Sequence, residues 1–398
     1  MSVSCPSFRS ECDSEYAVDG RGSFEKISRQ DCRPRYRRSG TAPGSVNGMH
    51  RRRQSRWTWG HGRGARISNL RAFAGCAILA LSALCVSSAS AEIISGIDFK
   101  PVNNKGNAAN PSAPAAVTAL GGGSVNYVFN MSTNEVSNTQ YASFLNSVAK
   151  ISDPNALFNA SMQIARTGSA GNYSYSPTGS NGEKPVQFVS FGDTFRFANW
   201  LQNGRPTGLQ TASTTENGVY NMTLSQPTRQ AGAQFWIPSV NEWYKAAYYS
   251  PTLNSGTGGY YLYPVSSNTM IASAPPGGAN SANFNNIVGT TVAAGSYVDA
   301  VSPYGLKSMA GNVAERLDTP IGSTYYAMQN SYVGAIGFAS SSSASTFSSA
   351  SIGGENVTTG FRVAAVPEPS TIVLAGMALA SGAIAWARKR AARSGKQA

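Results

Sequence analysis

Hydrophobic residues fall along this 398-residue chain in two uninterrupted runs near its ends and a periodic pattern between them. The first run, Phe73–Val86, follows seven arginines between positions 51 and 71 and precedes Ala89-Ser90-Ala91. A basic segment, a short apolar run and a site of small residues are typical of a secretory signal peptide. We therefore predict that residues 49–91 contain a signal helix and that signal peptidase cleaves between Ala91 and Glu92.

The segment before this signal, residues 1–48, is polar and arginine-rich and shows no periodicity. This composition predicts a disordered stretch, or an untranslated one if Met49 is the first residue. Arginines interleaved with Trp57 and Trp59 could also bind nucleic acid. Their position directly ahead of the apolar run favours the signal-peptide interpretation, so we expect no nucleic-acid partner.

The second apolar run, Thr371–Ala387, is about 17 residues long, the lower limit for a helix that crosses a bilayer. Pro367-Glu368-Pro369 precedes it, and Arg388-Lys389-Arg390 follows it, where cations favour the cytoplasmic side. Together, residues 366–398 resemble the PEP-CTERM sorting signal of Gram-negative bacteria. That resemblance implies processing by exosortase at the Pro-Glu-Pro motif and a transmembrane helix that serves as a temporary anchor. The alternative is a plain C-terminal membrane anchor.

The middle of the chain shows periodic helices that begin at capping boxes. A Ser with a Gln, Asp or Glu three residues later marks each start, at Ser137, Ser190 and Ser239. Apolar residues then fall on one helical face, and Asn203-Gly204 and Pro251 mark two of the ends. At this spacing we expect the aromatic residues of the helices to be core residues rather than ligand contacts; they are Phe197, Trp200, Trp236 and Trp243.

Strand patterns are fewer. Val125, Tyr127 and Phe129 alternate with polar neighbours and predict a half-buried strand, and Pro185–Val189 predicts a short apolar one. Residues 92–124 are rich in Asn, Ala, Pro and Gly and predict a linker. Residues 125–365 form the predicted domain, whose second half is rich in Gly, Ser and Asn and therefore in loops.

Charge and residue usage narrow the chemistry of the exported part. The formal net charge of +13 comes from the two ends, since residues 92–366 contain 12 basic and 12 acidic side chains. The same span contains no cysteine and no histidine. It therefore cannot form a disulfide, a Ser-His-Asp triad or an ordinary zinc site.

Seven blocks in this order resemble the formylglycine-generating enzyme, or sulfatase-modifying factor, domain. In particular they resemble its exported, PEP-CTERM-bearing branch. The blocks are residues 133–145, 185–191, 197–201, 236–247, 302–306, 311–315 and 360–363. The resemblance implies an α+β, C-type-lectin-like, loop-rich fold. It also implies oxidation of a sulfatase cysteine by oxygen and copper, with the copper held by a cysteine pair near the carboxyl end of the domain.

The chain departs from that family where the chemistry is expected. Residues 331–362 contain no cysteine, and Met328-Gln329-Asn330-Ser331-Tyr332 stands in place of the usual Arg-Gly-Gly-Ser-Trp block. Thiolate ligation of copper is what the oxidation requires. We therefore expect no copper and assign no catalytic residue.

The resemblance also implies calcium binding around the Gly-Asn-x-x-Glu turn. Ser308 and Glu315 would bind through side chains, and Gly311 and Val313 through carbonyl oxygens, a donor set that suits calcium. A second site would include Asn283 and Phe284. The alternative is a structural turn whose polar side chains cap backbone groups. Arg362 is expected to be a buried partner for a carboxylate.

These observations predict a non-catalytic binding or structural protein, sorted to the cell envelope, outer surface or extracellular polysaccharide of a Gram-negative bacterium. Its second-half loops would recognise a glycan or a protein. The alternative is a formylglycine-generating-type oxidase that works by another route. A third possibility is a domain that assists a membrane partner through an uncleaved tail.

Overall fold

The structure is a computed structural model that describes residues 92–94, 96–278, 280–343, 346–350 and 352–367, together with 381, 382, 384, 386 and 388. Five strands form its central sheet in the order β1-β2-β3-β15-β6. The sheet is antiparallel throughout. Its strands are β1 Glu92–Ile94, β2 Ile97–Val102, β3 Phe129–Ser132, β6 Phe235–Trp236 and β15 Ala364–Ala365.

Three main helices carry the three predicted capping boxes, and all three boxes are confirmed. In each, the Ser side chain accepts from the backbone N–H three residues on, and that residue accepts from the Ser N–H. The acceptor oxygens of Gln140, Asp193 and Glu242 lie 2.8, 2.7 and 2.7 Å from their Ser nitrogen atoms. The helices are α2 Asn138–Val148, α3 Phe191–Gln202 and α4 Val240–Tyr248; a single turn, α1 Ala115–Thr118, precedes them and another, α5 Leu253–Gly256, follows.

An aromatic core joins α2 to α3. The Tyr141 and Phe197 rings are stacked at 6.1 Å, and Phe144 contacts Trp200 at 5.3 Å. All four side chains are buried, so the core role predicted for Phe197 and Trp200 is confirmed. Trp236 and Trp243 are also buried.

A second sheet, β13-β12-β11-β14, carries part of the candidate site. Its strands are β11 Ala314–Ile321, β12 Thr324–Met328, β13 Phe347–Ala350 and β14 Thr359–Gly360. Among the described residues, three further strand pairs lie outside these sheets. The longest is the hairpin of β4 Ile164–Ser169 and β5 Asn172–Pro177. The two short pairs are β7 Tyr249–Ser250 with β8 Gly259–Tyr260, and β9 Ala272–Ser273 with β10 Ser281–Ala282. Long loops and a 3₁₀ helix, Ile336–Ala339, connect these strands, so the loop-rich second half is confirmed.

Two strand predictions need correction. The strand predicted from Val125 begins only at Phe129, and Tyr127 is 45% exposed instead of facing the core. Pro185–Val189 forms no strand, and Pro185 makes one isolated bridge with Ser137. Phe188 has a φ of +57°, which breaks an extended chain.

Part of the segment predicted as a linker belongs to the central sheet. Ile97–Val102 pairs with β3, with Phe99 opposite Ser132 and Val102 opposite Phe129. Ile97, Phe99 and Val102 are buried in the core. The abundance of Asn, Pro and Gly further along the segment concealed this short apolar alternation.

The two terminal apolar runs lie largely outside the described residues. The signal segment is wholly outside them, and within 371–387 the described positions 381, 382, 384 and 386 are helical. Among the residues that the structure describes, no helix has the length and apolar character needed to cross a membrane.

Candidate functional site

A buried ion pair between Glu315 and Arg362 lies at the centre of the candidate site. Parallel pairing of β11 with β14 sets Glu315 beside Gly360 and so brings Arg362 close. Arg362 Nε donates to Glu315 Oε2 at 2.7 Å, and Nη2 donates to Oε1 at 2.7 Å. Both side chains are at most 2% exposed. The expected role of Arg362 as a buried partner for a carboxylate is confirmed.

Other contacts of this pair are structural as well. Burial alone would lower the pKa of Arg362, but the carboxylates of Glu315 and Glu135 raise it, so the guanidinium stays charged. Its remaining donors reach the carbonyl oxygens of Ser132 at 2.9 Å and Lys307 at 3.1 Å. The guanidinium therefore connects three segments: β3, the loop at Lys307 and β11.

Glu135 lies next to this pair and is also buried. Asn312 Nδ2 donates to Glu135 Oε1 at 3.1 Å, whereas Glu135 Oε2 has no hydrogen-bond partner within the described ranges. Burial raises the pKa of Glu135 to about 7; Arg362 pulls it down and Glu315 pushes it up. Glu135 can therefore exchange a proton near neutral pH.

The structure brings the two predicted groups of calcium ligands together. Gly311 forms an isolated bridge with Asn283, and Asn312 N donates to Asn283 O at 2.9 Å. Gly311 has a φ of +88°, and a Cβ there would lie 2.1 Å from Asn283 O, so only glycine permits this contact. Phe284 and Val313 are buried, and Ser308 is partly exposed.

Glu315 does not fit a calcium ligand in this arrangement. A carboxylate offers about four lone-pair directions, and three N–H groups, Nε and Nη2 of Arg362 and Nε1 of Trp243, make four contacts with the two Glu315 oxygens. In the described part of the chain, no three His, Cys, Asp or Glu side chains group closely enough to hold a metal. Asn283 Oδ1 is buried there without a hydrogen-bond partner. Calcium at the other predicted residues stays a prediction, which a calorimetric titration of the mature chain would check.

Asn312 also acts as a structural cap. Its Oδ1 accepts from Val292 N at 2.9 Å, while its backbone carbonyl accepts from Tyr332 N at 2.9 Å. This is the bonding that the structural-turn alternative predicts for Asn312.

The region where the family's cysteine pair is expected is packed by aromatic residues of α4. Tyr248 Oη donates to Ala339 O at 3.0 Å, and Tyr244 Oη donates to Ser341 O at 2.5 Å. The Trp243 ring meets Phe347 edge-on at 5.8 Å. Ala339, Ser341 and Phe347 are all buried. Hydroxyl groups, carbonyls and rings therefore occupy this region, without a thiol.

A second charged cluster, which the sequence analysis missed, surrounds Arg229. Its Nη1 and Nη2 donate to the two oxygens of Glu242 at 2.9 and 2.8 Å, and its Nε donates to Asp318 Oδ2 at 2.8 Å. Burial raises the pKa of Asp318 to about 6, although Arg229 pulls it down. The guanidinium also lies 4.8 Å from the centre of the Trp236 ring. All three guanidinium nitrogens of Arg229 donate to carboxylates. The cluster carries one net negative charge when Arg229, Glu242 and Asp318 are all ionised.

An open groove of about 280 Å³ lies beside this cluster. Its lining residues are Tyr127, Arg229, Gln230, Gly232, Ala233 and Trp236. Tyr127 Oη donates to Glu242 Oε1 at 2.6 Å, so the hydroxyl end of the side chain is held although the residue is 45% exposed. The sequence signal that could have identified this cluster is Arg229, one of 12 basic residues in positions 92–366.

Residues 117–366 match the sulfatase-modifying factor enzyme 1-like domain, well over half of the chain. The chain belongs to this family. The α+β sulfatase-modifying-factor fold expected from the seven blocks is thereby confirmed. A search among curated proteins finds no match.

The chain is similar to several solved structures at low sequence identity. The structure titled CarF is 18% identical, with a TM-score of 0.43, over 69% of this chain and all of that chain. Treponema denticola variable protein 1 is 16% identical, with a TM-score of 0.42, over 68% of this chain and 95% of its own. PvdO from Pseudomonas aeruginosa is 14% identical, with a TM-score of 0.41, over 70% of this chain and 98% of its own.

Residues 365–390 match the PEP-CTERM protein-sorting motif, which confirms the expected sorting signal. The motif indicates export, sorting to the cell envelope of a Gram-negative bacterium and processing by an exosortase-type system. Its first matched residue, Ala365, is also the last residue of β15, so the folded domain and the sorting signal meet without a linker.

Proposed function

We propose that this protein is a surface-sorted binding or structural protein, built on a sulfatase-modifying-factor scaffold, that performs no oxidation. The observation that carries the proposal is the packing of residues 331–362. Tyr244 and Tyr248 bond to the backbone there, and the segment contains no cysteine. Copper oxidation in this family needs thiolate ligands, and this site has none.

Two further observations support a binding role. Large exposed apolar side chains stand on the second-half loops at Met270, Ile287, Val298 and Val333. Beneath them a separate cluster, which includes Ile271, Phe284 and Tyr297, gives the loops a packed base. Rigidly based loops with apolar tips suit recognition of a protein or glycan, and the C-type-lectin-like architecture implied by the family agrees with this role.

The C-terminal run Thr371–Ala387 acts in this proposal as a transmembrane anchor until exosortase cuts at Pro367-Glu368-Pro369. Its apolar sequence and the basic residues behind it support this assignment. Mass spectrometry of protein recovered from the envelope checks it. A C-terminus at or near the motif supports processing, and recovery of only the intact chain ending at Ala398 contradicts it.

The binding role is tested with the mature chain, which begins at Glu92, on a glycan array and in crosslinking pull-downs from envelope material. We expect a saturable ligand whose binding weakens in the variant Val298→Asp. Ile151→Asp is the matched control, since Ile151 is 50% exposed and lies outside the second-half loops. Equal binding by both variants would contradict a binding role for the second-half loops.

The alternative, an oxidase of the formylglycine-generating type, has its own test. The mature chain is loaded with copper and incubated aerobically with a peptide that carries the sulfatase cysteine motif. We expect no conversion of the cysteine to formylglycine by mass spectrometry. Turnover above a copper-only control would overturn the non-catalytic proposal.

A further inference from the structure

The chain leaves the domain from the interior of the central sheet. β15 lies between β3 and β6, with Ala365 opposite Asn130 on one side and Phe235 on the other. Val366 N then donates to Gln234 O at 2.9 Å. Pro367 follows, and proline has no N–H to extend the pairing. The sheet therefore holds the chain up to the residue before the sorting motif.

Exposed apolar side chains collect at this exit. Tyr127 and Val128, directly before β3, are 45% and 41% exposed, and Val366 is 41% exposed. Continued by two positions, the β3–β15 register brings Pro367 level with Val128. We call these three exposed positions beside the chain exit, Tyr127, Val128 and Val366, the exit face.

Tyr127 is held in place within the exit face. The Tyr127 hydroxyl is held by Glu242 Oε1, and the Tyr127 ring meets the buried Phe129 ring edge-on at 6.0 Å. The conformational entropy of this side chain is therefore already lost on folding. A contact that the ring makes with a partner does not carry that entropic cost a second time.

Chain length keeps this face close to the proposed anchor. Four residues, 367–370, separate Val366 from Thr371, where the apolar run begins, so five Cα-to-Cα steps join the two. At full extension they span at most about 18 Å. While the chain is anchored, the exit face therefore stays near the membrane interface, and such a short tether gives a millimolar effective concentration.

We propose that the exit face rests on the lipid bilayer while the C-terminal run anchors the chain. This inference depends on the membrane anchor in the proposed function. Tyrosine suits the level of the lipid headgroups because its ring is apolar and its hydroxyl is polar. Arg229, next to the face, is already paired with Glu242 and Asp318, so it does not attract anionic headgroups, and the contact depends on burial of the apolar side chains.

The consequence is a fixed orientation of the domain before processing. The exit face lies on the membrane, and the Pro-Glu-Pro motif is presented at the bilayer surface.

The test uses the chain from Glu92 to Ala398 in nanodiscs of phosphatidylethanolamine and phosphatidylglycerol. This chain has no cysteine, so Val128→Cys provides the only thiol for an environment-sensitive dye. Ile151→Cys, at a residue of similar exposure outside the exit face, is the matched control. Lipids with a spin label near the headgroup quench the dye on contact.

We expect the dye at position 128 to be quenched at least threefold more than the dye at position 151. Adding Tyr127→Ser to Val128→Cys should reduce this quenching, whereas Tyr127→Phe should retain it because the ring remains. Unfolding midpoints of all variants identify any that fail to fold. A dye at position 366, in Val366→Cys, gives a second measurement of quenching at the exit face.

Two outcomes overturn the proposal, and they are distinguishable. If the chain elutes with the discs but positions 128 and 151 are quenched equally, the exit face is not a membrane contact, and the anchor stands. If the chain does not elute with the discs, the anchor in the proposed function fails, and the exit-face contact fails with it.

Discussion

Arg362 donates three hydrogen bonds to the two carboxylate oxygens of Glu315, and both side chains are almost completely shielded from water. The family resemblance had implied that Glu315 binds calcium. Here its carboxylate is occupied by the guanidinium and by the Trp243 indole. The pair holds the sheets together, so its loss should affect folding before it affects any ligand.

Replacing the arginine should therefore cost substantial stability. Arg362→Met leaves Glu315 buried without its partner, and we expect the free energy of unfolding to fall by about 3–5 kcal/mol. Urea unfolding followed by tryptophan fluorescence measures this change. Lys150→Met, at an exposed basic residue, is the control and should change stability by less than about 0.5 kcal/mol. Equal effects of the two variants would contradict the structural role of the pair.

Glu135 should make stability depend on pH. Its folded-state pKa of about 7 lies above the ordinary value of 4.5, so the folded state binds its proton more tightly than the unfolded state. The resulting stabilisation is fully present below pH 4.5 and is lost as the pH rises through 7. Between pH 5 and pH 8 this group alone should remove roughly 2 kcal/mol.

The variant Glu135→Gln isolates this contribution, because Gln fills the same space and does not titrate. Chemical unfolding at pH 5 and pH 8 should give a smaller loss for Glu135→Gln than for the wild type. The subtraction cancels other groups, including Asp318, whose pKa is also raised. Identical losses would show that Glu135 does not titrate in this range.

Gly311 should tolerate no side chain. In Gly311→Ala the new Cβ meets the Asn283 carbonyl in addition to the strain of a positive φ. Gly171→Ala is a matched control, because Gly171 has a φ of +91° with no atom within 4 Å of the added Cβ. We expect the control to lose about 1–2 kcal/mol. Gly311→Ala should lose a further 1–3 kcal/mol or so in thermal or urea unfolding; equal losses would contradict the close approach.

Arg229 should contribute more to stability than an arginine whose carboxylate partner is more exposed. Arg229→Met leaves the buried carboxylates of Glu242 and Asp318 uncompensated, with an expected loss of about 3–5 kcal/mol. The Arg196–Glu216 pair provides the comparison: Arg196 is less exposed than Arg229, 14% against 23%, but Glu216 is 22% exposed, whereas Glu242 and Asp318 are 0% and 6% exposed. Arg196→Met should cost about 1 kcal/mol. A larger effect at Arg196 in the same unfolding assay would contradict the ranking by burial.

Local patterns in the chain were sufficient to predict several features. The three capping boxes each depend on two residues three positions apart, so the helix starts follow from nearby sequence. The sorting motif is also contiguous. By contrast, the short strand Ile97–Val102 was hidden by the composition around it, since its stability comes from pairing with β3.

The candidate site shows the limit of such patterns. Arg229 binds Glu242, which is 13 positions away, and Asp318, which is 89 positions away. Glu135 and Asn312 are 177 positions apart. No periodicity links such residues, because only sheet pairing and helix packing bring them together.

By itself, the sequence determined the family, the sorting motif, the three helix starts and the absence of thiol and imidazole groups from residues 92–366. Each of these depends on residue identity or on short spacings. Only the tertiary structure decided that the Glu315 carboxylate is taken by Arg362, that Glu135 is left with a raised pKa and that Tyr127 faces solvent beside the chain exit. These properties depend on burial and on contacts between distant segments, and only folding sets those.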